Sequence, residues 1–177
     1  MESLRGKVAI IGAADSEVGV VPHMSATQLA VDAALKAMDD AGITKDEIDG
    51  LFTCNSWAEP YLYHAEFIAE YLQIEPKVCM GVNTGGGTTF TLVHQAAAAI
   101  ATGMCETVLI TMADSLRSGI SKEKTMNTQA STGHAQFESP YGPTVPSLYA
   151  LIAQAHMSEF GTTSEQLAQI AVVTRKH

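Results

Sequence analysis

Three consecutive glycines, Gly85, Gly86 and Gly87, are the part of the sequence best suited to chemistry. They follow an apolar run typical of a buried strand and precede a run typical of a helix. A turn of this kind points unpaired backbone N–H groups at one spot, where the helix dipole adds partial positive charge. Such a spot suits a phosphate, a carboxylate or a developing oxyanion. The pattern therefore predicts an anion-binding turn.

The glycine turn lacks the marks of the best-known phosphate sites. It has neither the Lys-Ser/Thr of a phosphate-binding loop nor the GxGxxG spacing of a dinucleotide site. From spacing alone, the glycines could equally serve only to let a helix pack closely on a strand. A third interpretation is an unrelated nucleotide-binding α/β domain that uses the same turn.

The side chains near the turn favour structural roles. Cys79 is the nearest thiol, but it lies within the predicted strand, where a cysteine is usually buried and inert. The hydroxyls of Thr84 and Thr88 are better explained as helix caps than as nucleophiles. His94, two turns into the helix, is interpreted as a hydrogen-bonded structural histidine.

The composition bounds the class of protein. The 177 residues are 46% hydrophobic and 16% charged, which excludes wholesale disorder. A formal net charge of −9 argues against a general binder of nucleic acid or anionic membrane. The three cysteines form no CxxC, so we expect reduced thiols, no metal site and a cytoplasmic location. The short, acid-flanked apolar run near the N-terminus favours a first strand over a signal peptide.

Strand and helix patterns alternate along the first two thirds of the chain. Apolar, β-branched runs predict strands at residues 7–13, 50–54, 77–82 and 106–112. Helical periodicity predicts helices that end at residue 41, span 63–72 and 88–101, and resume at 146–160 and after 162. Short connections between them indicate a layered α/β fold with a parallel or mixed sheet.

The regular alternation of strand and helix patterns stops after Met112. Residues 114–146 show no sustained period, and a loop of that length is usually functional or disordered. We therefore divide the chain into an α/β domain at 1–113 and a loop-domain segment with its following helices at 114–177. The last helix has no stop signal, so we expect the chain to end in mid-structure.

The order of these features resembles the N-terminal half of thiolases, above all the sterol-carrier-protein type and its lipid-transfer-like relatives. The resemblance rests on Val82-Asn83, the AIATG of residues 99–103, the ETVLI of 106–110, and the ADSLRSG of 113–119. The FESPYG of 137–142 and the residues from 155 to 177 fit the same branch. The order and spacing of these motifs are more specific than any one of them.

The resemblance implies a thiolase-like layered α-β-α fold, with part of the loop domain that covers the substrate. It also implies a homodimer, with the strand at residues 79–82 near the dimer interface. The substrate would be a coenzyme A thioester, with no covalently bound cofactor. The activity would be acyl transfer or cleavage of a C–C bond.

One departure from the family pattern affects the chemistry. The nucleophilic cysteine of thiolases lies three residues after the asparagine of the Val-Asn pair, and here that asparagine is Asn83 and the position is Gly86. The covalent acyl-cysteine step therefore has no side chain there. The family's histidine and second cysteine belong to the C-terminal half, which this chain does not include. The N–H groups of Gly86, Gly87 and Thr88 remain as the expected oxyanion donors.

Without a nucleophilic cysteine, the chain resembles in particular the thiolase-like aldolases of sterol side-chain degradation. Such proteins lack the nucleophilic cysteine, use tyrosines from the later half and work with an OB-fold partner subunit. The competing interpretation is a catalytically silent binding protein: an acyl-CoA or lipid carrier, or a structural subunit of an active complex.

Two further clusters have open interpretations. The basic side chains of Arg117, Lys122 and Lys124 are candidates for coenzyme A phosphates, or incidental charges on a solvated loop. An aromatic set is predicted to belong to the core or a subunit interface rather than to stack on a ligand; it comprises Trp57, Tyr61, Tyr63, Phe67 and Tyr71.

Overall fold

The computed structural model describes residues 4–177, which divide into two compact units. The first unit ends at Lys122 and the second runs from Glu123 to His177. The division falls nine residues beyond the 113/114 boundary expected from sequence (122 − 113), because residues just after 113 bond to the first unit.

The first unit contains a three-stranded parallel sheet with helices on both faces. Its elements in chain order are α1 (Ala26–Ala41), β1 (Gly50–Thr53), α2 (His64–Leu72), β2 (Val78–Gly81), α3 (Thr88–Ala101) and β3 (Val108–Thr111), with 3-10 turns at Lys45–Glu47 and Gly85–Gly87. The strand order is β2-β1-β3. This is the layered α/β fold that the sequence predicts.

Alternation along β1 separates the two hydrophobic cores. Leu51 and Phe52 are both fully buried, and as neighbours in a strand they point to opposite faces of the sheet. Leu51 packs with side chains of α1 and α2, including Met38 and Ile68. Phe52 packs instead with α3, through Leu92 and its alanines. The central strand thus holds helices on both sides.

The segment at residues 7–13 forms no strand, which corrects the prediction for it. Its apolar pattern is typical of a strand, but β1 already has β2 and β3 on its two sides, and the segment forms no ladder with the outer edge of β3. The segment lines a cavity of about 570 Å³ together with side chains of α1, α3 and β3. Its far end is fixed to α1, because the Ala13 N–H donates to Asp40 Oδ2 at 2.9 Å.

Gly12 is expected to tolerate no side chain. A Cβ built there would lie 2.4 Å from the carbonyl oxygen of Ala37 and 2.8 Å from Cβ of Ala41. Gly12→Ala should lower the free energy of unfolding by about 1–3 kcal/mol, because α1 or the segment must shift. Gly81→Ala is the matched control, since its nearest neighbour would lie at 3.8 Å. Urea unfolding of both variants checks this, and equal stabilities would contradict the packing of Gly12.

The second unit is helical. Its elements are α4 (Lys122–Ala130, whose first residue closes the first unit), a 3-10 turn at Ser139–Tyr141, α5 (Val145–Phe160) and α6 (Ser164–Lys176). Helix α4 lies inside the stretch that the sequence analysis left without regular structure. Its polar side chains give no hydrophobic period, and none of its residues is buried. Among the described residues, no helix is both long and apolar enough to cross a membrane.

Candidate active site

The carboxyl ends of the three parallel strands lie at one edge of the sheet, where open α/β folds bind their ligands. Cys54 follows β1, Asn83 follows β2 shortly before the glycine turn, and Asp114 follows β3. The start of α3 and the end of β3 are in contact, because Thr89 Oγ1 lies 3.4 Å from the sulfur of Met112. The sheet therefore positions the glycine turn beside the segment that carries Asp114.

The glycine turn is a 3-10 helix that continues directly into α3. Gly85 has a φ of +65°, which a glycine adopts without strain. The hydroxyl of Thr88 stabilises the turn with two hydrogen bonds. It accepts from the Thr84 N–H at 3.0 Å and donates to the Gly85 carbonyl at 2.7 Å. The hydroxyls of Thr84 and Thr91 lie 3.2 Å apart. Both hydroxyls make structural hydrogen bonds, but no side-chain cap hydrogen bond forms at the start of the turn or of α3, so the helix-cap role predicted for Thr84 and Thr88 is wrong.

The same geometry corrects one predicted oxyanion donor. The Thr88 N–H donates to the Gly85 carbonyl, so this amide is already occupied. A 3-10 turn uses the donors at its C-terminal end, and those without such a partner lie in its first residues. The candidate oxyanion donors are therefore the backbone N–H groups of Gly86 and of Gly85 before it.

The position of Gly86 is open. A Cβ built on Gly86 has no heavy atom within 4 Å, and the residue is exposed. Gly87 is nearly as open, with Thr84 Oγ1 at 3.9 Å. This finding disfavours the interpretation in which the glycines only permit close packing, because nothing packs against Gly86. Asn83 is likewise exposed.

Asp114 joins the ends of β1 and β3, a role that the sequence analysis missed. Its Oδ1 accepts from the Ser56 hydroxyl at 3.0 Å and from the N–H groups of Ala58 and Ser115 at 3.1 and 2.9 Å. Its Oδ2 accepts from the Trp57 N–H at 2.7 Å. The available signal was an acidic residue shortly after a buried strand. This carboxylate fixes the β1–α2 loop at the candidate site.

A buried histidine lies next to this network. His64 is only 5% exposed, and its Nδ1 has no hydrogen-bond partner among the residues that the structure describes. Burial lowers the pKa of His64 below its ordinary 6.5, against the opposing pull of the Asp114 and Glu59 carboxylates. The imidazole is therefore held in its neutral form.

This shift predicts a pH-dependent stability. Between the lowered pKa and 6.5 the unfolded chain binds the His64 proton and the folded chain does not, so folding is disfavoured as the pH falls. Above pH 6.5 His64 is neutral in both states and costs the folded state nothing. As the pH falls from 6.5 to the lowered pKa, the folded state loses stability relative to the unfolded chain. The free energy of unfolding of the wild type should drop more between neutral and mildly acid pH than that of His64→Gln. Parallel pH profiles would contradict the assignment.

The thiols are poorly suited to nucleophilic attack. Burial raises the pKa of Cys79 to about 11, with a smaller contribution from Glu66. Burial, and then Asp114, raises the pKa of Cys54. Burial also raises the pKa of Cys105. The thiolate is the reactive form, so the structure supports the interpretation of Cys79 as inert.

The basic residues are distributed over both units. Arg117 lies in the first unit and lines a cavity of about 260 Å³ together with the loop at residues 16–21. Met112, which contacts Thr89, lines the same cavity. Lys122 begins α4 at the end of the first unit, whereas Lys124 belongs to the second. The three side chains therefore do not form one cluster within a single unit.

The fold is thiolase-like. It superimposes on a monomeric SCP2-thiolase-like protein of Mycobacterium smegmatis with a TM-score of 0.60, at 19% identity, over 87% of this chain and 30% of that one. It superimposes on the Ltp2–ChsH2(DUF35) aldolase with a TM-score of 0.77, at 33% identity, over 96% of this chain and 42% of that one. The matching part is the N-terminal half of such folds.

Sequence comparison adds two curated relatives. The chain is 34% identical to a steroid side-chain-cleaving aldolase of Thermomonospora curvata, over all of this chain and 46% of the relative. It is 30% identical to a 17-hydroxy-3-oxo-4-pregnene-20-carboxyl-CoA lyase of Mycobacterium tuberculosis, over 98% of this chain and 46% of the relative. No family model matches the chain. The chain spans about half the length of these relatives. Its relatives and structural neighbours are thiolase-like, which confirms the resemblance stated from the sequence.

Proposed function

We propose that this protein, which corresponds to the N-terminal half of its relatives, acts in the thiolase-like cleavage of a C–C bond in an acyl-CoA thioester without forming an acyl-cysteine. The observation that carries the proposal is the open position of Gly86, in the turn just before α3, at the residue to which the resemblance assigns the family nucleophile. Two relatives, 34% and 30% identical, are named an aldolase and a CoA lyase, whereas two named acetyl-CoA acetyltransferases are 28% and 25% identical; the higher identities support cleavage over acyl transfer.

The proposed reaction is a retro-aldol cleavage of a 3-hydroxyacyl thioester. A base removes the proton of the 3-hydroxyl group, the bond between C2 and C3 breaks, and C3 leaves as a ketone or aldehyde. The electron pair of that bond passes to the thioester as an enolate, which is then protonated at C2. The thiolase-like aldolases that the chain resembles use tyrosines of their later half, and we propose that one of these is the base.

The contribution of this chain is to stabilise the enolate. Negative charge develops on the thioester oxygen as the C–C bond breaks, and a backbone N–H placed beforehand at that point lowers the barrier. The Gly86 amide lies in the first turn, where the helix dipole adds to the effect. The absence of a side chain at Gly86 leaves room for the substrate where an acyl-cysteine would stand.

Coenzyme A and the partners complete the proposal. Arg117 and Met112 line the same cavity, and Met112 contacts Thr89 at the start of α3. Arg117 is therefore the best candidate of the three basic residues for contact with the coenzyme A phosphates. A homodimer and a separate partner subunit of the OB-fold type are part of the same proposal. The matched aldolase, whose name pairs Ltp2 with ChsH2(DUF35), supports the second of these.

The test is a cleavage assay with 3-hydroxyacyl-CoA substrates, with short-chain and sterol-derived acyl groups compared. It uses the protein alone and together with a DUF35 subunit. The proposal expects release of a carbonyl product and a shortened acyl-CoA, with no acyl adduct on the protein by intact mass. Binding of acyl-CoA without turnover in either mixture would overturn it in favour of a non-catalytic carrier or structural subunit.

A further inference from the structure

The aromatic residues at the start of α2 and along it do not belong to the core of this chain. Tyr63 and Tyr71 are 69% and 55% exposed, and Tyr61 is 39% exposed. Phe67 lies between them, with its ring centroid 3.9 Å from that of Tyr61 and 5.0 Å from that of Tyr71. The opposite face of α2 is the buried one. It presents His64, Ala65, Ile68, Ala69 and Leu72 to the interior.

We call Tyr61, Tyr63, Phe67 and Tyr71 the aromatic stripe. Phe67 and Tyr71 are four residues apart in α2 and share one face, and Tyr63 is the N-cap residue that precedes the helix. Tyrosines exposed side by side are typical of protein interfaces, because the ring buries apolar area and the hydroxyl keeps a polar contact. Of the two locations predicted from sequence, the structure excludes the core and leaves the interface.

The charges around the stripe decide what kind of partner it suits. Within α2 the acidic side chains are Glu66 and Glu70, both exposed, and the helix contains no lysine or arginine. Exposed Glu75 follows the helix. Lys45 contacts the far end of α2 through the side chain of Gln73, at 3.2 Å. The stripe is thus flanked by negative charge along its length.

This arrangement disfavours a second copy of the same chain. In a symmetric dimer the same patch meets itself, so Glu66 and Glu70 would be brought towards their own equivalents. Like charges that face each other across an interface cost free energy. A partner with lysines and arginines on an apolar surface gains both ion pairs with the glutamates and cation–π contacts with the tyrosine rings.

We infer that the aromatic stripe of α2 and its flanking glutamates form the docking surface for a basic face of the partner subunit. The inference rests on the proposed function for the identity of that subunit, a DUF35-type protein. It adds the surface on this chain and the charge of the surface on the partner.

The experiment is a calorimetric titration of the purified ChsH2(DUF35) component of the matched aldolase into this protein. Two double variants remove the surface: Tyr63→Ala with Tyr71→Ala, and Glu66→Lys with Glu70→Lys. Matched controls are Tyr149→Ala, an aromatic side chain that is 68% exposed on α5, and Asp39→Lys, an exposed acid on α1. Circular dichroism establishes that each variant is folded.

Each double variant is expected to weaken binding at least tenfold while the controls bind like the wild type. Added salt should weaken the wild-type complex more than the complex of the variant with reversed glutamates. Failure of the wild type to bind, or equal losses in variants and controls, would overturn the inference. So would a wild-type dimer in sedimentation that the tyrosine variant dissociates, since the occupant would then be a second copy.

The cleavage assay keeps the two proposals apart. If the double variants lose partner binding but a 3-hydroxyacyl-CoA is still cleaved by the wild-type mixture, both proposals stand. If the partner binds at the stripe and no substrate is cleaved, the proposed function fails and the docking surface remains.

Discussion

Asp114→Ala should lower the free energy of unfolding by about 3–5 kcal/mol, the largest loss that we expect from removing one polar side chain at the site. The carboxylate accepts four hydrogen bonds, from Ser56, Trp57, Ala58 and Ser115. Truncation leaves those donors without an acceptor, and each unsatisfied buried donor costs about 1–3 kcal/mol. Water reaches the more exposed Trp57 and relieves part of the loss. Urea unfolding of the variant measures the difference.

Asp114→Asn separates the hydrogen bonds from the charge. An asparagine retains one acceptor oxygen, which serves the three donors now bonded to Oδ1, and it replaces the acceptor for Trp57 with an amide. We expect an intermediate loss. Asp15→Ala is a control on an exposed carboxylate of the same unit. An alanine variant of Asp114 within about 0.5 kcal/mol of the wild type would contradict its place in the structure.

Gly86→Cys should create a thiol that acyl-CoA acylates. The wild type cannot be acylated at this position, because glycine has no side chain. The added side chain meets no heavy atom within 4 Å of its Cβ, and the backbone there has no left-handed φ. A helix N-terminus lowers the pKa of a thiol and raises the fraction of thiolate. Incubation with acetyl-CoA should therefore add the mass of one acetyl group, located by peptide mapping at the substituted position.

The controls for this variant are present in the chain. Cys54, Cys79 and Cys105 have raised pKa values and should stay unmodified. Gly81→Cys places a thiol at the end of β2 instead of at a helix start. An adduct on that thiol, or on the native cysteines, would show that acylation is non-specific. A Gly86→Cys protein that binds acetyl-CoA and remains unmodified would contradict the position assigned to the substrate carbonyl.

The sequence predicted the elements whose signals are local. The end predicted for the first helix, at residue 41, is confirmed: α1 ends at Ala41, and Gly42 after it has the left-handed conformation. The strands β1, β2 and β3 lie within the predicted runs, because apolar β-branched residues suit a sheet with both faces covered. The glycine turn was placed correctly because its signal, three glycines between a strand and a helix, is equally local.

The predictions that were wrong concern features that depend on contacts between residues distant in sequence. Residues 7–13 have the pattern of a strand, but a strand forms only where its backbone pairs with a neighbouring strand. The local sequence does not reveal that this segment lies beside α1, α3 and β3 without such pairing. Helical spacing puts Tyr63, Phe67 and Tyr71 on one face, yet it does not say which face of α2 is buried. The occupied amide of Thr88 follows from the choice of a 3-10 over an α-helical start, which glycines leave open.

The central claim is that the amide at Gly86 receives the oxygen of a thioester carbonyl, and NMR of the protein labelled with ¹⁵N-glycine tests it most directly. Titration with acetyl-CoA is compared with titration with free coenzyme A, which lacks only the acetyl group. The account predicts that the Gly86 amide resonance shifts with acetyl-CoA far more than with coenzyme A. Equal shifts at Gly86 for the two ligands, or carbonyl-dependent shifts confined to glycines outside residues 85–87, would contradict it.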